Sequence, residues 1–232
     1  MSKIILTIII SLNILFYQSS FLQAKSKAID SKTRVKRSKV YVVDDFEYNP
    51  KKRVVTDWWS FGKLKKSWID NGVFIEPFLG KRSLRLSGST KQWLVGGIGT
   101  YLGVNAKRFN AIKMVIHGSG KKSGMLVIEL YDDDNNNWEI ELNPDDSSRA
   151  YTDDKFVYTV KVDWSGWKVL VIPFKKFIDD NIKIGDDIWN PNQEGRSGGL
   201  VQMQILALSS GKKGDVRIGI DSIKFFKMPK KR

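Results

Sequence analysis

The sequence predicts an all-β protein: a single antiparallel β-sandwich following an N-terminal export signal. Three observations predict it. Apolar residues alternate with polar ones along most of the chain, as where Ile112, Met114 and Ile116 interleave with Lys113, Val115 and His117. Clusters of Gly, Asn, Asp and Ser separate nearly all of these runs. No run has the apolar spacing of an amphipathic helix of normal length, and many short strands with no helices between them form a sandwich or a barrel.

In chain order, the predicted strands cover residues 40–46, 73–76, 83–87, 93–101, 111–117, 125–131, 138–142, 156–162, 168–172, 200–208 and 215–226. Asp132 to Asn137 (DDDNNN) reads as an Asx-rich hairpin turn between two of them. Residues 174–178, after Pro173, read as one helical turn. The last strand changes phase: Val216, Ile218 and Ile220 share one parity, and Ile223 and Phe225 the other. A bulge near Asp221 and Ser222 reconciles them. There is no internal repeat.

The ends are built differently from the body. Lys3 and the apolar run at 4–16 (IILTIIISLNILF) have the form of a signal peptide, being too short to span a bilayer, which takes about 20 residues. Ala24 is a small −1 residue for cleavage, although Leu22 at −3 is bulkier than usual, and an uncleaved anchor is the rival reading. The expected organisation is a signal peptide at 1–24, a basic flexible linker at 25–39, the sandwich domain at 40–227 and a basic tail at 228–232. The chain has no cysteine, which excludes disulfides, a lipidated cysteine, thiol nucleophiles and thiolate metal sites. The formal net charge is +14, yet the linker carries seven basic residues against Asp30 alone, and the body is nearly neutral. A nucleic-acid binder concentrates its positive charge on the folded face, so this distribution points away from nucleic acid. Within the body, residues 40–120 are net positive and 121–223 net negative.

Several short motifs then stand in a recognisable order. Asp44-Asp45-Phe46-Glu47 opens the domain, a Trp-rich loop follows, and Ser83-Leu84-Arg85-Leu86 comes after it. Asp163-Trp164-Ser165-Gly166-Trp167-Lys168 leads to Ile172-Pro173-Phe174, and Gly219-Ile220-Asp221-Ser222-Ile223 closes the set. Together they resemble galactose-binding-domain-like jelly rolls, especially family 11 carbohydrate-binding modules and the related complex I intermediate-associated protein domain. The resemblance implies a calcium ion held in a structural role between the first and last strands. Its ligands here would be Glu47 and Asp221, with Asp45 as a further one, all hard oxygen donors.

Catalysis finds little footing. The one histidine, His117, has no nucleophile elbow near it. Glu139 and Glu141, on one face of the strand predicted at 138–142, would lie roughly 7 Å apart by strand rise, a spacing compatible with an inverting glycosidase. Jelly-roll glucanases carry a third acid on such a strand, and here that place is Asn143. Asp132, Asp134 and Asn136 begin like a calcium loop, but Asn137 and Asn143 replace its glycine and final glutamate, which leaves the turn at most a weak calcium holder.

The eight tryptophans are the strongest binding signal. Indole rings stack on the apolar face of a sugar while Asp, Asn, Gln and Arg take its hydroxyls. Trp58 and Trp59 with Asp57, and Trp189 with Asp187 and Asn190, are the predicted ligand-binding residues, on loops; Trp164 and Trp167 are predicted to be structural. Three readings follow. The first is an exported, non-catalytic, carbohydrate-binding protein. The second is a structural envelope protein that docks on other proteins, such as a coat or sheath component of a periplasmic flagellar filament, where oppositely charged halves would favour oligomers. The third is a small glycosidase.

Overall fold

The computed structural model describes residues 39–47, 58–70, 80–145 and 150–229. The expected signal peptide, nearly all of the linker, the strand at 73–76, Asp57 and the last three residues of the basic tail lie outside the described residues.

Among the described residues twelve strands follow in order: β1 (Val40–Asp44), β2 (Trp59–Gly62), β3 (Lys65–Asp70), β4 (Arg82–Thr90), β5 (Leu94–Val104), β6 (Ala111–Ser119), β7 (Gly124–Asp133), β8 (Lys155–Val162), β9 (Ser165–Pro173), β10 (Ile178–Asp179), β11 (Gly199–Leu208) and β12 (Gly214–Phe226). They form two six-stranded sheets. The first runs β3-β4-β12-β6-β9, with β1 also paired to β12; the second runs β10-β8-β7-β11-β5-β2. Every strand pair is antiparallel. The protein is an all-β sandwich, as the alternation predicts.

The alternating residues meet between the sheets. Leu84, Leu86, Ile112, Met114, Ile116, Ile218 and Ile220 come from the first sheet, and Ile98, Leu102, Leu126, Ile128, Leu130 and Ile205 from the second, in one continuous buried cluster. Each such side chain contributes about 1.5–3 kcal/mol by leaving water. That core takes the place of disulfides, which the chain cannot make.

The phase change in β12 is the expected bulge. Between Asp221 and Lys224 the strand uses one residue more than β6 opposite it, where Val115 and Lys113 are the partners. Ser222 takes up the excess at φ 50°. Ile218 and Ile220 before it, and Ile223 and Phe225 after it, all reach the same core. The bulge also divides one edge of β12 between two partners. β4 pairs with Gly214 to Ile220, and β1 with Ile223 to Phe226, while β6 runs along the other edge.

Two expectations are corrected. The segment at 138–142 is not a strand; its one ladder contact is an isolated bridge from Leu142 to Ala150. Turn geometry overrides its alternation, with Trp138 at φ 69° and its N–H donating to Asp133. Conversely, part of the expected Trp-rich loop is two strands, β2 and β3, which lie at the edge of the second and first sheet respectively. The expected helical turn exists as a 3-10 turn at Phe174–Lys176, and Ile178 pairs with β8 instead.

Candidate functional site

The outer face of the second sheet carries the first candidate site. Register places Trp59, Gly99, Gln204, Glu129 and Val157 in one row across five strands, and Phe61, Gly97, Leu206, Val127 and Thr159 in the next. Glycine in β5 is what shapes this face. A Cβ at Gly99 would stand 2.2 Å from the Trp59 ring, and one at Gly97 would stand 2.5 Å from the Phe61 ring. The bare backbone therefore lets both rings lie down on β5. Trp59 also packs on Tyr101, with ring centroids 4.7 Å apart. Phe61 remains 38% exposed. In the middle of the face Tyr131 donates its hydroxyl to Glu129 at 2.9 Å. Burial raises the Glu129 pKa above the usual carboxylate value, against the pull of Lys155 and of this hydrogen bond.

The predicted ligand-binding residues separate on this frame. Trp59 is on the face just described. Trp58 is 2% exposed, packs on Phe46, and donates its indole N–H to Asp44 at 2.7 Å, so it is a core residue and not a sugar platform. Trp189 is half-buried against Phe156 and Phe174 and anchors its loop to the core. Asp187 and Asn190 flank that anchor and face a set of carboxylates, described next. Trp164 packs against the core and Trp167 beside His117, in line with their structural assignment. The sequence did not single out Phe61 or Tyr101. The signal was the run of glycines at 96, 97 and 99 in an otherwise apolar strand.

The second candidate site is a pocket of acids where β7 ends and β8 begins. Asp132, Asp153 and Asp154 are all 0% exposed. Each carboxylate has one oxygen held by a backbone amide. Asn190 N–H donates to Asp132 Oδ2 at 3.0 Å, Ile188 N–H to Asp154 Oδ2 at 3.0 Å, Asp154 N–H to Asp134 Oδ2 at 3.0 Å, and Asp134 N–H to Asp153 Oδ1 at 3.1 Å. The other oxygen of each, Oδ1 of Asp132, Asp134 and Asp154 and Oδ2 of Asp153, is buried with no hydrogen-bond partner. Asp132, Asp134 and Asp154 each offer an oxygen within 4.8 Å of the others, as do Asp154, Asp179 and Asp187.

Burial, reinforced by the neighbouring carboxylates, pushes these groups far up: Asp132 to about 9, Asp153 to about 8, Asp154 to about 7 and Asp134 to about 6. The backbone amides pull the other way and do not win. Gly185 closes the pocket; a Cβ there would meet Asp154 Oδ1 at 2.2 Å and Asp134 Oδ2 at 2.4 Å. Asp133 differs from its neighbours, since both of its oxygens accept turn amides, from Asn137 and Trp138.

Each of the residues expected to hold calcium between the first and last strands has one carboxylate oxygen held by a backbone amide, and the second oxygen of Asp221 is buried. Glu47 Oε1 accepts the Arg82 N–H at 2.7 Å, Asp45 Oδ1 the Glu47 N–H at 3.3 Å, and Asp221 Oδ1 the Ser222 N–H at 2.6 Å in the bulge. Among the described residues, neither convergent group of three acids contains Asp45, Glu47 or Asp221. The Glu139 and Glu141 pair loses its strand spacing because 138–142 is not extended; Glu141 accepts instead from Thr152, Asn135 and Asn137. His117 lies edge-on to Trp167, with centroids 5.1 Å apart.

No protein-family model and no curated protein sequence matches the chain. Solved structures do resemble it. A family 11 carbohydrate-binding module from Clostridium thermocellum, in complex with a beta-1,3-1,4-mixed-linked tetrasaccharide, is 18% identical. The match covers 81% of this chain and 95% of that one, at a TM-score of 0.48. The family 30 carbohydrate-binding module of a cellulosomal cellulase of the same organism is 16% identical, covering 74% and 91% of the two chains at a TM-score of 0.43. TmCBM61 in complex with beta-1,4-galactotriose is 14% identical, covering 75% and 90% at a TM-score of 0.41.

Proposed function

We propose that this protein is an exported, non-catalytic carbohydrate-binding module that takes a glycan chain across the outer face of its second sheet. The observation that carries this reading is the pair of rings, Trp59 and Phe61, laid on the glycine backbone of β5 beside Tyr101. A flat aromatic surface stacks on the C–H face of a sugar, and Gln204 and Glu129 in the same row supply amide and carboxyl groups for hydroxyls. Export rests on the apolar run at 4–16. Cleavage after Ala24 would give a secreted or periplasmic chain starting at Lys25, and mass spectrometry of the native protein reads that end directly.

Affinity electrophoresis against mixed-linked glucan, galactan and an envelope polysaccharide fraction tests the binding reading. Trp59→Ala and Phe61→Ala should each weaken retention at least tenfold, whereas Trp167→Ala, on the opposite sheet, should not. Retention on no glycan, or retention indifferent to Trp59→Ala, removes the proposal.

A second reading, docking on an envelope protein assembly, is favoured by Val169 and Val171. They are 49% and 46% exposed on β9, the edge strand of the first sheet. Recovery with named envelope proteins, lost in Val169→Lys, is its required result. A freely soluble monomer without partners rejects it.

A further inference from the structure

We propose that Asp132, Asp134 and Asp154 form a binding site for a hard divalent cation of the calcium class, which fastens the strap between β10 and β11 to the ends of β7 and β8. Asp132 and Asp134 come from the end of β7 and Asp154 from just before β8, and each offers an oxygen within 4.8 Å of the others. Acidic residues gathered on a surface would mean little, since solvent disperses their repulsion. Here Asp132 and Asp154 are fully buried, and each keeps one oxygen with no hydrogen-bond partner. A buried, unpartnered carboxylate oxygen is costly, and a cluster of them is costlier still. The backbone amides of Ile188, Asn190 and Asp154 fix one oxygen of each group and leave the other for a ligand.

The donor set selects the ion. Carboxylate oxygens alone suit a hard cation, and the chain's one histidine, His117, is in β6 of the other sheet. Calcium accepts six to eight oxygens in irregular geometry, water among them, whereas magnesium demands a near-ideal octahedron. Asp154 also belongs to the second convergent group, so the ion is bordered by two further acids, Asp179 in β10 and Asp187 on the strap. Gly185 completes the enclosure, because any side chain at that position would occupy the space between Asp134 and Asp154.

Calcium titration of the purified full chain by calorimetry and by thermal melting, each against an EDTA reference, is the test. A saturable heat and an upward shift in Tm with calcium are expected, both larger than with magnesium. Asp134→Asn and Asp154→Asn should weaken calcium binding at least tenfold and abolish the shift. In EDTA the same variants should melt no lower than the parent, since each removes a buried repulsive charge. Asp163→Asn, just past the opposite end of β8, should bind like the parent. Terbium luminescence displaced by calcium reads the site on the unaltered chain, should a variant fail to fold. No heat and no displaceable luminescence overturns the proposal, and so does a calcium shift that survives in Asp134→Asn and Asp154→Asn. Glycan retention is scored separately, so either result can fail without the other.

Discussion

A buried indole and a half-buried one differ here by a single position. Trp58 turns into the core and Trp59 out over β5, because consecutive strand side chains alternate between faces. The two should respond differently to truncation. Trp58→Ala should cost about 3–5 kcal/mol in urea unfolding, the ordinary loss for a large core aromatic. Trp59→Ala should leave the midpoint nearly unchanged while removing glycan retention. A sequence could not separate them without knowing that Trp59 pairs with Gly99. His117 makes a second prediction at this scale. Burial, with the Arg85 charge adding to it, lowers its pKa below 6.5. The fold thus favours the neutral ring, and the unfolded chain binds more protons in the interval beneath 6.5. The stability from this residue is complete above 6.5 and is lost as pH falls through the folded value. Proton NMR of the single histidine should give a midpoint below 6.5, and a midpoint at or above that value contradicts the burial argument.

Among the elements, those with one face in the core were legible and those at the margins were not. Ile112, Met114 and Ile116 announce β6 because every second residue enters the interior. β3, by contrast, reads Lys65-Lys66-Ser67-Trp68-Ile69-Asp70 and owes its extension to β4 alongside it, not to its own pattern. The segment at 138–142 alternates well and still fails to pair, since the hairpin amides bind Asp133 first. The acid pocket was legible only in part. Asp132 and Asp134 read as an Asx turn that begins like a calcium loop, but the sequence does not show that Asp154 joins them, nor that a segment some fifty residues later covers the group with the amides of Asn190 on Asp132 and Ile188 on Asp154. The bulge was legible because two apolar parities cannot share one face without an extra residue. Deleting Ser222 should therefore expel Ile223 and Phe225 from the core, and circular dichroism should show loss of the folded signal rather than a modest shift in Tm.

At the scale of the molecule, salt separates sugar stacking from docking driven by charge. Stacking of a sugar on Trp59 and Phe61 is an uncharged contact, so glycan retention should change by less than about twofold between low salt and 1 M, where the screening length is only about 3 Å. Docking through the basic ends or the oppositely charged halves would be lost over the same range. Another property follows from where β12 sits. The final strand occupies the interior of the first sheet, with β4 and β1 along one side and β6 along the other. Those three have no common neighbour until the carboxyl-terminal residues are in place. β12 must therefore be available before that layer can assemble, and a nascent chain that lacks it leaves β1, β4 and β6 without their shared partner. Until β12 arrives, the apolar faces of those three strands cannot form one continuous layer, which makes the late strand the step that commits the sandwich.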